Sequence, residues 1–409
     1  MGSGDPAGGA EEAALGLAFL SQSGCHSVLR FLEREGPDVV WRASRRRLLE
    51  WGLIPRAVDS FEEKRRCFAV EEMRALLERS GLRFIPYGSS LYPAELAQLR
   101  CPPAGLFARG SEDAIVRLLG LPRVTIVGTR RATPYGLRVT EMFAYAFAAA
   151  GIVVVSGLAL GIDGRAHEAA LDAGGLTAAV LGCGADVIYP RRHQSLYGRL
   201  AARGLILSEL PPGTAPSRWT FPHRNRLLAA LGDAVLVSEG SLTSGALQTA
   251  DWALELGRPV YAVPGPIAVD GYRGCNTLLY QGAVPAVEPF VAVEDFFTQT
   301  RIERAVRPSA ERLGAGGDGR RGSATGSRNP RPGASEVPAR VSGSADWSCG
   351  FAGHCAEGIL EALGEGASSV DSLVAHTGLA TRQIIATLAE MELKGAVTRS
   401  GPGLYIRAP

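Results

Sequence analysis

The sequence predicts an α/β protein with a Rossmann-like parallel sheet core, an N-terminal small helical domain and a C-terminal winged-helix domain. Between Val124 and Ala286, apolar runs repeatedly break into a glycine turn and then a helical stretch. Short helical patterns fill residues 11–80, and three helical stretches followed by a hairpin pattern fill residues 353–409. A chain of 409 residues is long enough for several domains of this kind.

The first segment, residues 11–80, alternates apolar helical stretches with short breaks, which predicts a small helical domain of the SAM or helix-hairpin-helix type. Residues 81–120 carry prolines in FIPYGSSLYP and CPPAGLFARG, which exclude long helices there. We interpret them as a connector and assign residues 81–298 to one Rossmann-like domain that includes it.

The strands of that domain are nearly continuous apolar runs. They are VTIVG, IVVVSG, TAAVLGCG, LILSE, AVLVSEG, PVYAVPG and AVPAV. Runs of this type separated by helices predict a parallel sheet covered on both faces.

Beyond this domain the composition changes. Residues 299–352 are rich in Gly, Ser, Pro and Arg with little to bury, which predicts a disordered linker. The winged-helix pattern of residues 353–409 places Arg382 and Gln383 at the start of its third helix, where a recognition helix contacts DNA. Because the segment is nearly neutral, contact with DNA and contact with a protein both stay open.

The composition argues against several classes of protein. No apolar run approaches the roughly 18 residues of a membrane helix, and the small, acidic first residues are not a secretory signal. The seven cysteines are scattered without a CxxC pair, so no metal site or disulfide framework is expected. We therefore expect a cytoplasmic protein without a membrane contact.

Net charge gives no direct sign of a nucleic-acid partner. The whole chain carries +2, and residues 121–298 hold 14 Arg against 14 Asp plus Glu. Any anionic ligand must therefore be held by local clustering of arginines rather than by the field of the whole domain.

The first such cluster follows a strand that ends at Gly128. The turn that begins TRR puts Thr129, Arg130 and Arg131 where backbone N–H groups and a helix terminus favour phosphate. The spacing to Gly136, just before a helix expected to begin near Leu137, is not GxGxxG. No acidic residue ends the next strand, so the pattern argues against a nicotinamide cofactor, and no cofactor is expected.

The second block, SGLALGIDGRAHEAAL, makes a turn at Ser156 and Gly157. Asp163 stands at an N-cap position, with His167 one helical turn further on the same face. We favour a structural role for both, in which Asp163 caps the helix and His167 packs against the turn. No nucleophile is near and no GxSxG elbow is present, so no catalytic residue is assigned.

Further arginines follow other strand ends. Arg191 and Arg192 lie on the loop of LGCGADVIYPRRHQSLY. In FPHRNRLLAAL, Asn225 can cap the helix that follows, and an extended stretch would point Arg224 and Arg226 to one side.

The last block, SEGSLTSGALQTADWA, places Ser244 and Gly245 at a helix start whose N–H groups suit phosphate. Glu239 at the preceding strand end would repel phosphate, and we expect it to orient an arginine such as Arg226.

In this order, the blocks resemble the DNA-processing protein A family, DprA, also called Smf. The resemblance spans roughly residues 80–298 and rests on VGTRRATPYG, SGLALGIDGRAHEAAL, GCGADVIYP, FPHRNRLLAAL and GSLTSGALQTADWALELGRPVYAVPG. It implies a protein that binds single-stranded DNA, dimerises through the Rossmann-like domain and loads RecA recombinase in natural transformation or recombination, with no established catalysis.

The resemblance also implies roles for particular residues. Arg130 becomes the leading DNA-binding residue, with Arg191 and Arg192 on the same surface. Arg224 and Arg226 would line or organise the pocket with Asn225 and Glu239. His193 departs from the family pattern, since many members carry Asn there.

The alternative is a nucleotide-binding or nucleotide-hydrolysing Rossmann protein, such as a phosphoribohydrolase. Those enzymes carry a PGGxGTxxE block, whereas the comparable strand end here reads SEGSLTSGALQTADWA. A nucleotide sensor that has lost DNA contact is disfavoured by the arginines at positions 130 and 226.

Overall fold

The computed structural model describes two compact units, Met1–Ala315 and Gly316–Pro409. The described residues are 6–20, 26–300, 351–364, 370–377, 384, 387–388, 391, 396–401 and 404–407. Residues 301–350, which make up nearly all of the expected linker, lie outside them, as do Arg382 and Gln383.

Seven helices lie in the described residues of the N-terminal segment, 6–20 and 26–80. They are α1 (Pro6–Leu20), α2 (His26–Leu29), α3 (Leu32–Glu35), α4 (Pro37–Arg42), α5 (Arg45–Glu50), α6 (Pro55–Arg66) and α7 (Val70–Ser80). Leu17 and Phe61 from these helices share one apolar core with Phe107 and Ile206 of the sheet. The helical segment therefore covers part of the sheet.

Within residues 26–300, all of which the structure describes, nine strands form one sheet in the order β1-β2-β6-β5-β4-β3-β7-β8-β9. They are β1 (Arg83–Pro86), β2 (Gly105–Arg109), β3 (Arg123–Gly128), β4 (Val153–Ser156), β5 (Thr177–Val180), β6 (Leu205–Ser208), β7 (Ala234–Glu239), β8 (Val260–Ala262) and β9 (Val284–Pro285). Strands β3 to β9 pair in parallel, which confirms the predicted Rossmann-like sheet. Residues 81–120, which we interpret as a connector within this domain, also contain β1 and β2, and these strands extend the sheet with antiparallel pairing.

Helices cover both faces of this sheet. They are α8 (Ala94–Ala97), α9 (Glu112–Gly120), α10 (Pro134–Ala149), α11 (Ile162–Asp172), α12 (Gln194–Arg203), α13 (Thr220–Leu231), α14 (Gly245–Glu255), α15 (Arg273–Tyr280) and α16 (Pro289–Thr300). One face packs Phe147 of α10 and Phe296 of α16 against Ile126. The other packs Leu227 of α13 and Ala250 of α14 against Val127. Neighbouring residues of β3 thus point into different cores, as period-two strands require.

The order of strands reverses between β3 and β7. Strands β4 and β5 lie on one side of β3 in the sheet. Strands β8 and β9 follow β7 on the opposite side. In open α/β sheets, the loops at such a switch point part and leave a crevice at the carboxyl ends of the strands. The turns after β3 and β7 therefore border a crevice.

The second unit contains α17 (Phe351–Gly364), α18 (Val370–Thr377) and the antiparallel ribbon of β10 (Val397–Gly401) and β11 (Leu404–Arg407). Ile359, Leu373, Leu388 and Tyr405 share its core. Within the described parts of the chain, no helix is long and apolar enough to cross a membrane.

Candidate nucleic-acid interface

A cleft of about 690 Å³ opens at the switch point. Eight of the residues expected at a ligand site line it, namely Gly128, Thr129, Arg130, Arg131, Arg224, Asn225, Ser244 and Gly245. They come from the turn after β3, from α13 and from the start of α14. The sheet topology has brought together three blocks that are far apart in sequence.

Residues 129–133 form the arginine turn, and its first three residues line one wall of the cleft. Both Arg130 and Arg131 are exposed. The N–H of Thr129 donates to the carbonyl of Glu239 at 2.8 Å, which continues the β3–β7 pairing into the turn. The expected helix start near Leu137 is wrong, because α10 begins at Pro134 after the N-cap Thr133.

Aromatic rings lie beside these cations. The Arg130 guanidinium sits 4.7 Å from the centre of the Phe221 ring, and the Tyr189 ring lies 5.7 Å from that of Phe221. Arg218 is exposed, and its guanidinium sits 4.7 Å from the centre of the Trp219 ring, which is 68% exposed. Arg218, Phe221 and Tyr189 line the cleft. Sequence reasoning missed these residues, although the arginine and aromatic residues of SRWTF are a readable signal.

Arg224 plays a different part, because only 4% of it is exposed. Its guanidinium donates to the carbonyl of Gly157 at 2.8 Å and to that of Val180. A Cβ at position 157 would lie 2.4 Å from the guanidinium, so a side chain there would force Arg224 to shift. Burial lowers the pKa of Arg224, an effect opposed by the charge of Asp163. The residue therefore ties the turn after β4 to the floor of the cleft.

Asp163 does not cap its helix as expected. Helix α11 begins at Ile162 with Gly161 as N-cap. The Asp163 carboxylate accepts the N–H groups of Gly157 at 3.2 Å and Ala159 at 3.4 Å. Burial raises the pKa of this carboxyl, opposed by the positive charge of Arg224. Asp163 thus holds the turn that precedes the helix.

The expectation that Asn225 caps a helix is also wrong. The FPHRNR stretch is already helical, since α13 begins at Thr220. Asn225 donates instead to the carbonyl of Gly245 at 3.2 Å and joins α13 to the start of α14. Residues two apart on a helix point to nearly opposite sides, so Arg224 and Arg226 diverge.

Arg226 does not line the cleft and pairs with Glu209. Both residues are buried. The expected partnership of Arg226 with Glu239 is therefore wrong. Glu239 accepts hydrogen bonds from Thr133 and Tyr272.

The start of α14 completes the cleft. The N-cap Ser244 accepts the N–H of Ala246 at 3.2 Å, and Gly245 is exposed. Ser241 and Thr243 from the preceding loop also line the cleft. An open helix N-terminus flanked by hydroxyl groups favours an anion.

The remaining candidates lie outside this cleft. The Ser156 hydroxyl is buried and donates to the carbonyl of Ile126 at 2.6 Å, which is a structural role. Gly157 borders a smaller adjacent cavity of about 50 Å³. Arg191 and Arg192 are exposed on a short 3-10 turn, anchored by His193, whose Nδ1 lies 3.1 Å from the carbonyl of Leu158.

His167 contacts both β5, through Thr177, and the backbone of Ser156, where the turn after β4 begins. Because the Thr177 hydroxyl donates to the carbonyl of Val154, the Nδ1–H of His167 must donate to Thr177 Oγ1, at 2.7 Å. Burial lowers the pKa of His167 to about 3. A buried neutral imidazole with this partner serves the packing of α11. Among the described residues, no group of three His, Cys, Asp or Glu side chains is placed to hold a metal ion.

The doubly wound sheet and the cleft define a Rossmann-like protein with an arginine-lined and aromatic-lined site at its switch point. Residues 83–297 match the family model described as DNA recombination-mediator protein A, and residues 354–403 match the DprA winged helix domain. The chain belongs to the DNA recombination-mediator protein A family, DprA/Smf, and carries its winged-helix domain.

Similar proteins agree with this assignment. Protein Smf of Synechocystis is 35% identical over 322 residues, 76% of this chain and 77% of the relative. DNA processing protein DprA of Bacillus subtilis is 41% identical over 226 residues, 55% of this chain and 73% of the relative. The crystal structure of DNA processing protein A from Streptococcus pneumoniae superposes with a TM-score of 0.59 and 29% identity, over 70% of this chain and 98% of that one.

Proposed function

We propose that the protein binds single-stranded DNA in the switch-point cleft. The observation that carries the proposal is the pairing of exposed cations with aromatic faces. Arg130 lies beside Phe221, and Arg218 beside Trp219. Proteins that bind single strands combine backbone contacts with rings on which unpaired bases stack. A duplex keeps its bases stacked inside and offers such rings no base faces.

The contacts divide by chemistry. Arg130, Arg131 and the start of α14 take phosphate groups, and Phe221 and Trp219 take base faces. Phosphate contact and stacking carry little sequence information, so binding is largely independent of sequence. Because only a few cations contact the strand, the salt dependence per protomer is small.

The family assignment supports the remaining parts of the proposal. The protein acts in the cytoplasm without catalysis of its own, protects incoming single strands and loads RecA recombinase onto them in transformation or recombination. The family model matched here is that of a recombination mediator, which fits delivery of a strand to a recombinase.

A homodimer through the Rossmann-like domain is part of the same proposal. Tyr280 at the end of α15 is 93% exposed, and Val287, Phe290 and Val291 are exposed nearby in sequence, after the edge strand β9. Exposed apolar side chains of this size favour burial in an interface. Two linked sites would raise the affinity for a long strand above that of one.

Fluorescence anisotropy with labelled poly-dT and its duplex, at two salt concentrations, tests the proposal. We expect binding to the single strand that weakens modestly at the higher salt concentration, and weak binding to the duplex. Equal binding to both, or to neither, would overturn it and shift attention to nucleotide ligands. Sedimentation of wild type and Tyr280→Glu tests the dimer.

A further inference from the structure

We infer that Glu239 and Tyr272 are positioning residues that hold the arginine turn in its DNA-binding shape. The inference rests on the proposed function, because the turn carries Arg130 and Arg131. Glu239 itself contributes no atom to the cleft lining formed by the described residues.

Glu239 holds both ends of the turn. Its backbone carbonyl accepts the N–H of Thr129 at 2.8 Å. Its carboxylate Oε2 accepts the N–H of Thr133 at 2.9 Å and the Thr133 hydroxyl at 3.0 Å. A single residue at the end of β7 therefore defines where the turn leaves the sheet and where it enters α10.

Tyr272 also forms a hydrogen bond with this carboxylate. Its hydroxyl lies 3.1 Å from Oε2 of Glu239 and 2.7 Å from the Thr133 hydroxyl. Burial raises the pKa of Tyr272 to about 12, so the phenol keeps its proton and can donate. Tyr272 and Glu239 are 2% and 1% exposed, which excludes water as a competing partner.

Two glycines leave room for this carboxylate. A Cβ on Gly136 would lie 1.9 Å from Oε2 of Glu239, and a Cβ on Gly271 would lie 2.9 Å from Oε1. The space taken by this carboxylate therefore explains why the last residue of the TRRATPYG block is a glycine. A side chain there would displace the group that anchors the turn.

These contacts preorganise the arginine turn for DNA binding. A turn held at both ends before DNA arrives has less conformational freedom to lose on binding, so more of the phosphate contact energy appears as affinity. Glu239 supplies this order from behind the turn, where its charge does not face the cleft.

Trypsin cleavage after Arg130 and Arg131, followed by mass spectrometry on the full-length native protein, measures the order of the turn without DNA. We expect Glu239→Ala to raise cleavage there about tenfold and to weaken poly-dT binding by a similar factor. Glu239→Gln keeps an acceptor oxygen, so it should retain most of the resistance to cleavage and most of the affinity for poly-dT. Tyr272→Phe should act in the same direction as Glu239→Ala, with a smaller effect.

Tyr261→Phe is the matched control. The Tyr261 hydroxyl donates to Asp295 at 2.9 Å, so this variant also removes a buried tyrosine–carboxylate hydrogen bond. It should lower the melting temperature without changing cleavage in the turn. If Glu239→Ala does not fold, the rate of cleavage in the turn is compared between Tyr272→Phe and Tyr261→Phe. That comparison then tests the positioning role.

The two proposals fail in different ways. If the wild type does not bind single-stranded DNA, the proposed DNA site is refuted. If the variants are nevertheless cleaved faster in the turn, the positioning role of Glu239 and Tyr272 is still supported. Cleavage in Tyr272→Phe no faster than in Tyr261→Phe, or in Glu239→Gln as fast as in Glu239→Ala, would overturn the positioning role.

Discussion

The Arg130 guanidinium lies over the Phe221 ring at 4.7 Å, which joins the turn after β3 to the first turn of α13. This contact places a cation and a flat aromatic face side by side at the switch point. Neither residue is near the other in sequence, so the sheet topology alone creates the pair.

Replacement of Arg130 by Ala should weaken poly-dT binding at least tenfold, or about 1.4 kcal/mol, because a charge-assisted phosphate contact is lost. The slope of log K against log salt should fall by about 0.7 for one phosphate on a single strand. Arg117→Ala, which removes an exposed arginine from α9, is the control and should change neither quantity. Unchanged affinity in Arg130→Ala would remove the arginine turn from the site.

Replacement of Phe221 by Leu should weaken single-strand binding by about 1–3 kcal/mol, because a base loses its stacking surface. The salt slope should stay near that of the wild type, since no charge is removed. Anisotropy at several salt concentrations separates this effect from that of Arg130→Ala. A reduced slope with unchanged affinity at low salt would argue against a stacking role.

Glu209→Ala should destabilise the protein by about 3–5 kcal/mol, because it leaves the buried Arg226 charge without its carboxylate partner. Urea unfolding measures the loss. The folded fraction should still bind poly-dT with nearly wild-type affinity, because Arg226 does not line the cleft. A large loss of affinity in folded protein would place Arg226 in the DNA site after all.

Acid should weaken the fold through His167. Its pKa falls from the ordinary 6.5 to about 3 in the folded protein, so the unfolded chain binds a proton first as pH drops. Stability from this group is complete above about pH 6.5 and is lost progressively towards pH 3, by about 2 kcal/mol at pH 5. Urea unfolding of wild type and His167→Leu at pH 7.5 and pH 5 measures the difference. An equal pH dependence in both proteins would show that other groups cause it.

Local patterns in the chain were enough to predict the strands of the parallel sheet and the arginine turn. Strand runs such as VTIVG and AVLVSEG are apolar because both their faces are covered, and that requirement is visible in any single strand. Gly128, Arg130 and Ser244 could be assigned to a ligand site because parallel strands place their carboxyl ends at one edge. The strands β1 and β2 were missed because prolines lie within or next to them, in FIPYG and CPPAGLFAR, and proline argues against a strand in a sequence pattern.

By itself, the sequence determined the fold class, the family and the presence of arginines at the strand ends. Only the tertiary structure decided which of those arginines face the cleft. Arg224 and Arg226 look equivalent in FPHRNR, yet the helical twist of α13 turns one towards Gly157 and the other towards Glu209. Side-chain direction depends on where a helix begins and on what packs against it, and those contacts come from parts of the chain that are distant in sequence.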